Sequence, residues 1–134
     1  MIFYLAARYQ RIDEINKYAK QIRAKGHDVN SRWLLGTYQI HPNASEVDAS
    51  GDNVPMVARP FALDDIKDID DCEAVISFTE KPSSEKGRGG RHVEFGYALA
   101  NGKEIIIIGP HENVFHCLPG VTQFATWGEF INAL

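Results

Sequence analysis

Gly87–Gly109, "GRGGRHVEFGYALANGKEIIIIG", sets a loop of glycine and arginine, an amphipathic segment and a solid apolar run in direct succession. A short run of isoleucines bounded by turn residues reads as a strand covered on both faces, which is how the strands of parallel sheets read. Working outward, "EAVISF" before it and "IFYLAA" at the N-terminus have the same character, and "HDVNSRW" and "VTQF" read as shorter strands. Between them, Ile12, Ile15, Ala19 and Ile22 recur at helical spacing, with Gly26 as a C-cap. A further helix is expected from about Val54 through "MVARPFALDDIKDID", disturbed near Pro60. The segment "TWGEFINAL" opens with a capping box, Thr126 to Glu129, and closes the chain as a helix. Strands alternating with helices imply an α/β fold: one domain over residues 1–134, a three-layer sandwich on a five-stranded parallel sheet, flavodoxin- or Rossmann-like.

Composition narrows the partners. With 134 residues, a formal net charge of −4 and a pI near 5.7, the chain lacks the positive charge that a nucleic-acid backbone or an anionic membrane attracts. A small molecule is the expected partner. Cys72 and Cys117 form no CxxC pair, and two reduced thiols suit the cytoplasm. The run "MIFYLAA" is interrupted by Arg8 and is too short for a signal peptide or a membrane span. His111 and His116 miss the i,i+4 spacing of a HExxH site, so no metal is expected. The loop "GRGGRH" lacks the third glycine of the dinucleotide fingerprint and does not follow the first strand, and there is no Walker A lysine, so no cofactor is expected either.

In open parallel sheets, ligands sit beyond the carboxyl ends of the strands. Those positions hold Arg8 and Tyr9 after the first strand, Trp33 after the second, Thr79 and Glu80 after the third, and "GPHENVFH" after the fourth. The loop carrying Arg88, Gly90, Arg91 and His92 offers backbone N–H groups and cations to an anion, or is a solvated turn. Glu94, expected in the first turn of its helix, either complements the helix dipole or serves as a nucleophilic carboxylate kept ionised by that dipole. The acids of "LDDIKDIDD" read by default as a solvated helix face, and "TYQIHPNASEVDASGDNVP" as a long polar loop. Tyr4, Tyr9, Trp33 and Phe115 have the shape to stack on a base or to fill the core.

Taken in order, "IFYLAARY", "LDDIKDIDDCEAVISFTE" and "GGRHVEFGYALANGKEIIIIG" resemble the successive motifs of the nucleoside 2-deoxyribosyltransferase family, whose superfamily includes nucleoside 5′-monophosphate N-glycosidases. The resemblance implies that Glu94 attacks the anomeric carbon and forms a covalent glycosyl-enzyme, with Tyr4 hydrogen-bonded to it. It implies a catalytic Asp65, and Glu80 as the acid at the leaving base, where an aspartate is usual. It implies a homodimer or higher homo-oligomer. The chain stops at Leu134 without the transferases' longer tail, so Asn113 and His116 of the "ENVFH" loop are expected to close the site. Arg91 and His92 suit a 5′-phosphate, and Arg8 matches the arginine that the glycosidases carry near the first strand. Base transfer, hydrolysis and a silent nucleotide-binding sensor all stay open.

Overall fold

The computed structural model of the chain describes residues 1–36, 54–82 and 89–134. The polar stretch 37–53, expected to be a loop, and Arg88 lie outside these residues. The strands are β1 (Ile2–Ala6), β2 (Asp28–Val29), β3 (Ala74–Phe78), β4 (Glu104–Ile108) and β5 (Val121–Phe124). The helices are α1 (Ile12–Ala24), α2 (Val54–Asp70), α3 (Gly90–Ala100) and α4 (Trp127–Ala133). All five strands are parallel, in the order β2-β1-β3-β4-β5. Tyr4 lies beside Val75, and Phe78 beside Ile108.

The continuous apolar runs are buried on both sides, as their composition requires, because helices cover both faces of the sheet. On one face Tyr18 of α1 stacks on Trp127 of α4, with ring centroids 4.3 Å apart, and the Trp127 Nε1–H donates to Gln21 at 2.7 Å. On the other, α2 and α3 pack side by side, joined at their ends by the Tyr97 hydroxyl donating to Asp70 at 2.5 Å. β1 leads through α1 to β2 on one side, and β3 leads through α3 to β4 on the other. A crevice therefore opens between the carboxyl ends of β1 and β3, where the strand order reverses.

Three local expectations change. The second strand is only two residues long: the hydroxyl of Ser31 accepts from Leu5 N–H at 2.9 Å, taking the place of a ladder carbonyl, and the chain turns into a 3-10 segment at Arg32–Leu35. α2 runs unbroken through the exposed Pro60. Asp68 is buried rather than solvated, and accepts from Arg32 N–H at 2.8 Å and Arg32 Nε at 2.9 Å. At the far end of β4, Gly109 has φ 116°, and a Cβ there would stand 2.5 Å from Thr79 Oγ1. Only glycine lets β4 leave the sheet so close to the end of β3.

Candidate active site

Three side chains from separate elements meet on the α2/α3 face. Phe3 points to the opposite face, against Phe130 of α4, so strand alternation turns Tyr4 toward α2 and α3. Asp65 comes from α2. Glu94 comes from α3, whose side chains lean back toward the helix N-terminus, so its Oε1 lies 4.0 Å from where a Cβ on Gly90 would stand. α3 starts at Gly90, which puts Glu94 in the second turn and not the first, so the dipole argument for an ionised carboxylate fails.

Enclosure dominates instead. Burial pushes the Glu94 carboxyl up to about 8, the Asp65 charge adds to the rise, and the Tyr4 hydroxyl opposes it. Asp65 is raised to about 6, first by burial and then by the charge of Asp68, again against the pull of Tyr4. The Tyr4 phenol is itself held well above its ordinary value by burial and by the charges of Glu94 and Asp65. The hydroxyl thus faces both carboxyls, yet among the described residues neither it nor the buried Glu94 Oε2 has a direct hydrogen-bond partner. Both carboxyls are thus held above the ordinary carboxylate range, Glu94 further than Asp65.

At the rim, Glu80 stands just past β3 as expected. It is tied to guanidinium groups: Arg8 Nη1 at 3.8 Å and Arg11 Nη1 at 3.4 Å, with Arg11 also gripping Glu14 at 2.8 Å. Among the described residues, the contacts of Glu80 run to Arg8 and Arg11 and not to Tyr4, Asp65 or Glu94. Arg8 keeps a buried Nε with no partner among the described residues. A cleft of 350 Å³ opens beside Glu80 and Arg11, lined also by Phe78, Gly109 and Trp127 and not by Tyr4, Asp65 or Glu94. The Trp33 ring is buried in the core, and its Nε1–H donates to the Leu5 carbonyl at 2.7 Å. Tyr9 packs over it at 6.2 Å and donates to the Gly36 carbonyl at 3.4 Å.

The start of α3 differs from the expected anion loop. Gly89, with φ 84°, precedes it without a side-chain cap, and Gly90 is its first residue. The Arg91 guanidinium is no free cation: it is buried in an ion pair with Glu112 of the loop after β4. That loop is organised by the two residues expected to close the site. Asn113 accepts from Phe115 N–H at 3.0 Å, and His116, buried against Phe95, accepts through Nδ1 from Glu112 N–H at 3.0 Å. Burial lowers the proton affinity of the His92 and His116 imidazoles. Glu112 escaped the sequence reading because nothing near it in the chain announces a partner; only its place in a loop at a strand's carboxyl end was a signal.

Buried polar atoms are nearly always hydrogen-bonded. Among the described residues those without a partner are Tyr4 Oη, Arg8 Nε, Arg91 Nε, His92 Nδ1, Glu94 Oε2 and Glu112 Oε2. All belong to the crevice residues or their immediate partners. No group of three or more metal-ligating side chains occurs among the described residues, and no described helix is long and apolar enough to cross a membrane.

No protein-family model and no curated protein matches the sequence. Solved structures do match the fold. The structure of the CMP N-glycosidase BcmB from Clostridium botulinum superposes with a TM-score of 0.61 at 20% identity, covering 99% of this chain and 97% of that one. The 2-deoxyribosyltransferase of the psychrotolerant bacterium Bacillus psychrosaccharolyticus superposes with a TM-score of 0.64 at 18% identity, covering 98% of this chain and 91% of that one. Both belong to the superfamily that the sequence motifs resemble, and at these identities the likeness is one of fold.

Proposed function

We propose that the chain cleaves the N-glycosidic bond of a 2′-deoxynucleoside or its 5′-monophosphate through a covalent glycosyl-enzyme on Glu94. The observation that carries this reading is the meeting of Tyr4, Asp65 and Glu94, two carboxyls of different proton affinity with one phenol facing both. Breaking such a bond needs a carboxylate beneath an oxocarbenium-like carbon and a proton for the departing base, and a pair with split affinities supplies both. In the first step the Glu94 proton passes by way of Tyr4 to Asp65. The freed Glu94 carboxylate bonds to C1′, the C1′–N electron pair leaves with the base, and the proton on Asp65 goes to that base. In the second step water, or a second base, attacks C1′ and breaks the ester. Asp65 takes the proton released and returns it to Glu94.

Glu80, which the family resemblance implies as the acid at the base, is engaged by Arg8 and Arg11, so we assign the proton to the pair Asp65 and Glu94. Arg8, with its unbonded Nε at the end of β1, is our candidate for a 5′-phosphate contact. Two copies of the chain are proposed to pair over the exposed Val93, Val114 and Phe115 beside the crevice. Incubation with deoxynucleosides and their monophosphates, with and without an acceptor base, tests the reading. Free base alone means hydrolysis and a new nucleoside means transfer; binding without release of any base leaves a nucleotide-binding sensor and overturns the proposal.

A further inference from the structure

The helix that carries Glu94 begins weakly. Gly89 and Gly90 precede and open it, two residues with more backbone freedom than any others, and no side chain caps its first turn. An attachment from outside takes the place of a cap. Arg91, in that first turn, pairs with Glu112, and the side chains are only 7% and 17% exposed. Glu112 is pinned in turn by its own N–H, which donates to His116 Nδ1, and His116 is 1% exposed with its ring edge-on to Phe95 at 5.0 Å. Phe95 neighbours Glu94 in the chain. Two contacts from the loop after β4 therefore grip α3 on either side of the turn that bears the carboxyl.

We infer that Glu112 is a positioning residue: through Arg91 it fastens the first turn of α3 to the loop after β4 and so sets where the Glu94 carboxyl stands. A buried ion pair seldom adds net stability over well-packed apolar side chains, whereas it holds its partners in one geometry. Displacing a reacting group by about 1 Å costs up to about a hundredfold in rate. The inference rests on the proposed role of Glu94. It also gives Arg91 a task other than phosphate binding, since the guanidinium Nη2 is already held by a carboxylate.

The test compares Glu112→Ala, Glu112→Gln and Arg91→Ala with the wild-type protein on a deoxynucleoside and on its 5′-monophosphate. The alanine variants are expected to lose about ten- to a hundredfold in kcat, by the same factor on both substrates, with KM within about twofold. Glu112→Gln, whose amide oxygen still accepts from Arg91, is expected to recover most of that loss. A second readout needs no activity: the midpoint of the Glu94 carboxyl titration, followed by 13C NMR. Neither Arg91 nor Glu112 is among the charges that shift Glu94, so movement of that midpoint reports enclosure rather than field. In the alanine variants it is expected to fall by about one pH unit or more as water reaches the carboxyl. An unmoved midpoint, a KM rise confined to the monophosphate, or a glutamine variant as impaired as the alanine one overturns the inference. Should Glu112→Ala not fold, Arg91→Lys, which keeps the charge and loses the planar fork, gives the same readings. If the wild type releases base from no substrate, the proposed function fails, and the Glu94 titration by itself decides the role of Glu112.

Discussion

The Tyr4 hydroxyl on β1 faces the Glu94 carboxyl on α3 inside the protein, and among the described residues neither the hydroxyl nor Glu94 Oε2 is satisfied by a direct hydrogen bond. This is a costly arrangement for folding and a useful one for chemistry, because the groups left unbonded are free to meet a substrate.

The first prediction follows from that cost. The folded-state value of Glu94, about 8, lies above its ordinary 4.5, so the native protein keeps a proton that the unfolded chain has released. Stability from this group is complete below the unfolded value and is lost as pH rises toward about 8. Glu94→Gln removes that loss. Urea unfolding at pH 8 is expected to show the variant more stable than wild type by at least about 1.4 kcal/mol, the equivalent of one pH unit, with the gap closing near pH 4.5. Turnover should disappear; more than about a tenth of wild-type activity, a barrier change under about 1.4 kcal/mol, removes Glu94 from the nucleophile's role.

The second concerns pH and rate. If the working form is the pair with one proton, activity is expected to rise through about pH 6, where Asp65 ionises, and to fall through about pH 8, where Glu94 does. Below the window no carboxylate is available to attack; above it no proton is available for the base. A profile of kcat/KM that stays flat across this range would falsify the shared-proton scheme.

The third separates Asp65 from Glu80. Asp65→Asn removes the group that hands the proton to the base, so its loss should shrink with substrates whose bases leave readily without protonation. Glu80→Gln should impair good and poor leaving groups alike, because it loosens Arg8 and Arg11 rather than withholding a proton. The opposite pattern across a series of bases would return the acid's role to Glu80.

The fourth is structural. Trp33→Phe leaves the Leu5 carbonyl without its 2.7 Å donor, and an unsatisfied buried acceptor costs about 1–3 kcal/mol. Thermal unfolding should show that loss, while KM changes by less than about twofold, since the ring lies in the core. A KM rise without loss of stability would place Trp33 back at the substrate.

The order of strands and helices was legible in the sequence, because "EIIII", "AVISF" and "IFYLA" carry their two-sided burial in their own composition, and the spacing Ile12, Ile15, Ala19, Ile22 carries that of α1. Tyr4, Asp65 and Glu94 were marked by motifs, and the fold does bring them together. Tertiary structure alone decided the rest. Trp33 could stack on a base or fill the core, and Asp68 looks like part of a solvated helix face, until the 3-10 turn after β2 packs against α2. Arg91 looks like a free cation until the loop after β4 brings Glu112 to it. Glu94 looks like a dipole-stabilised anion until Gly90, not an earlier residue, proves to start the helix and the carboxyl proves to be enclosed. Local periodicity sets which residues become strand or helix. The charge state and the partner of a side chain depend on how completely distant segments exclude water from it, and that is a property of the assembled fold.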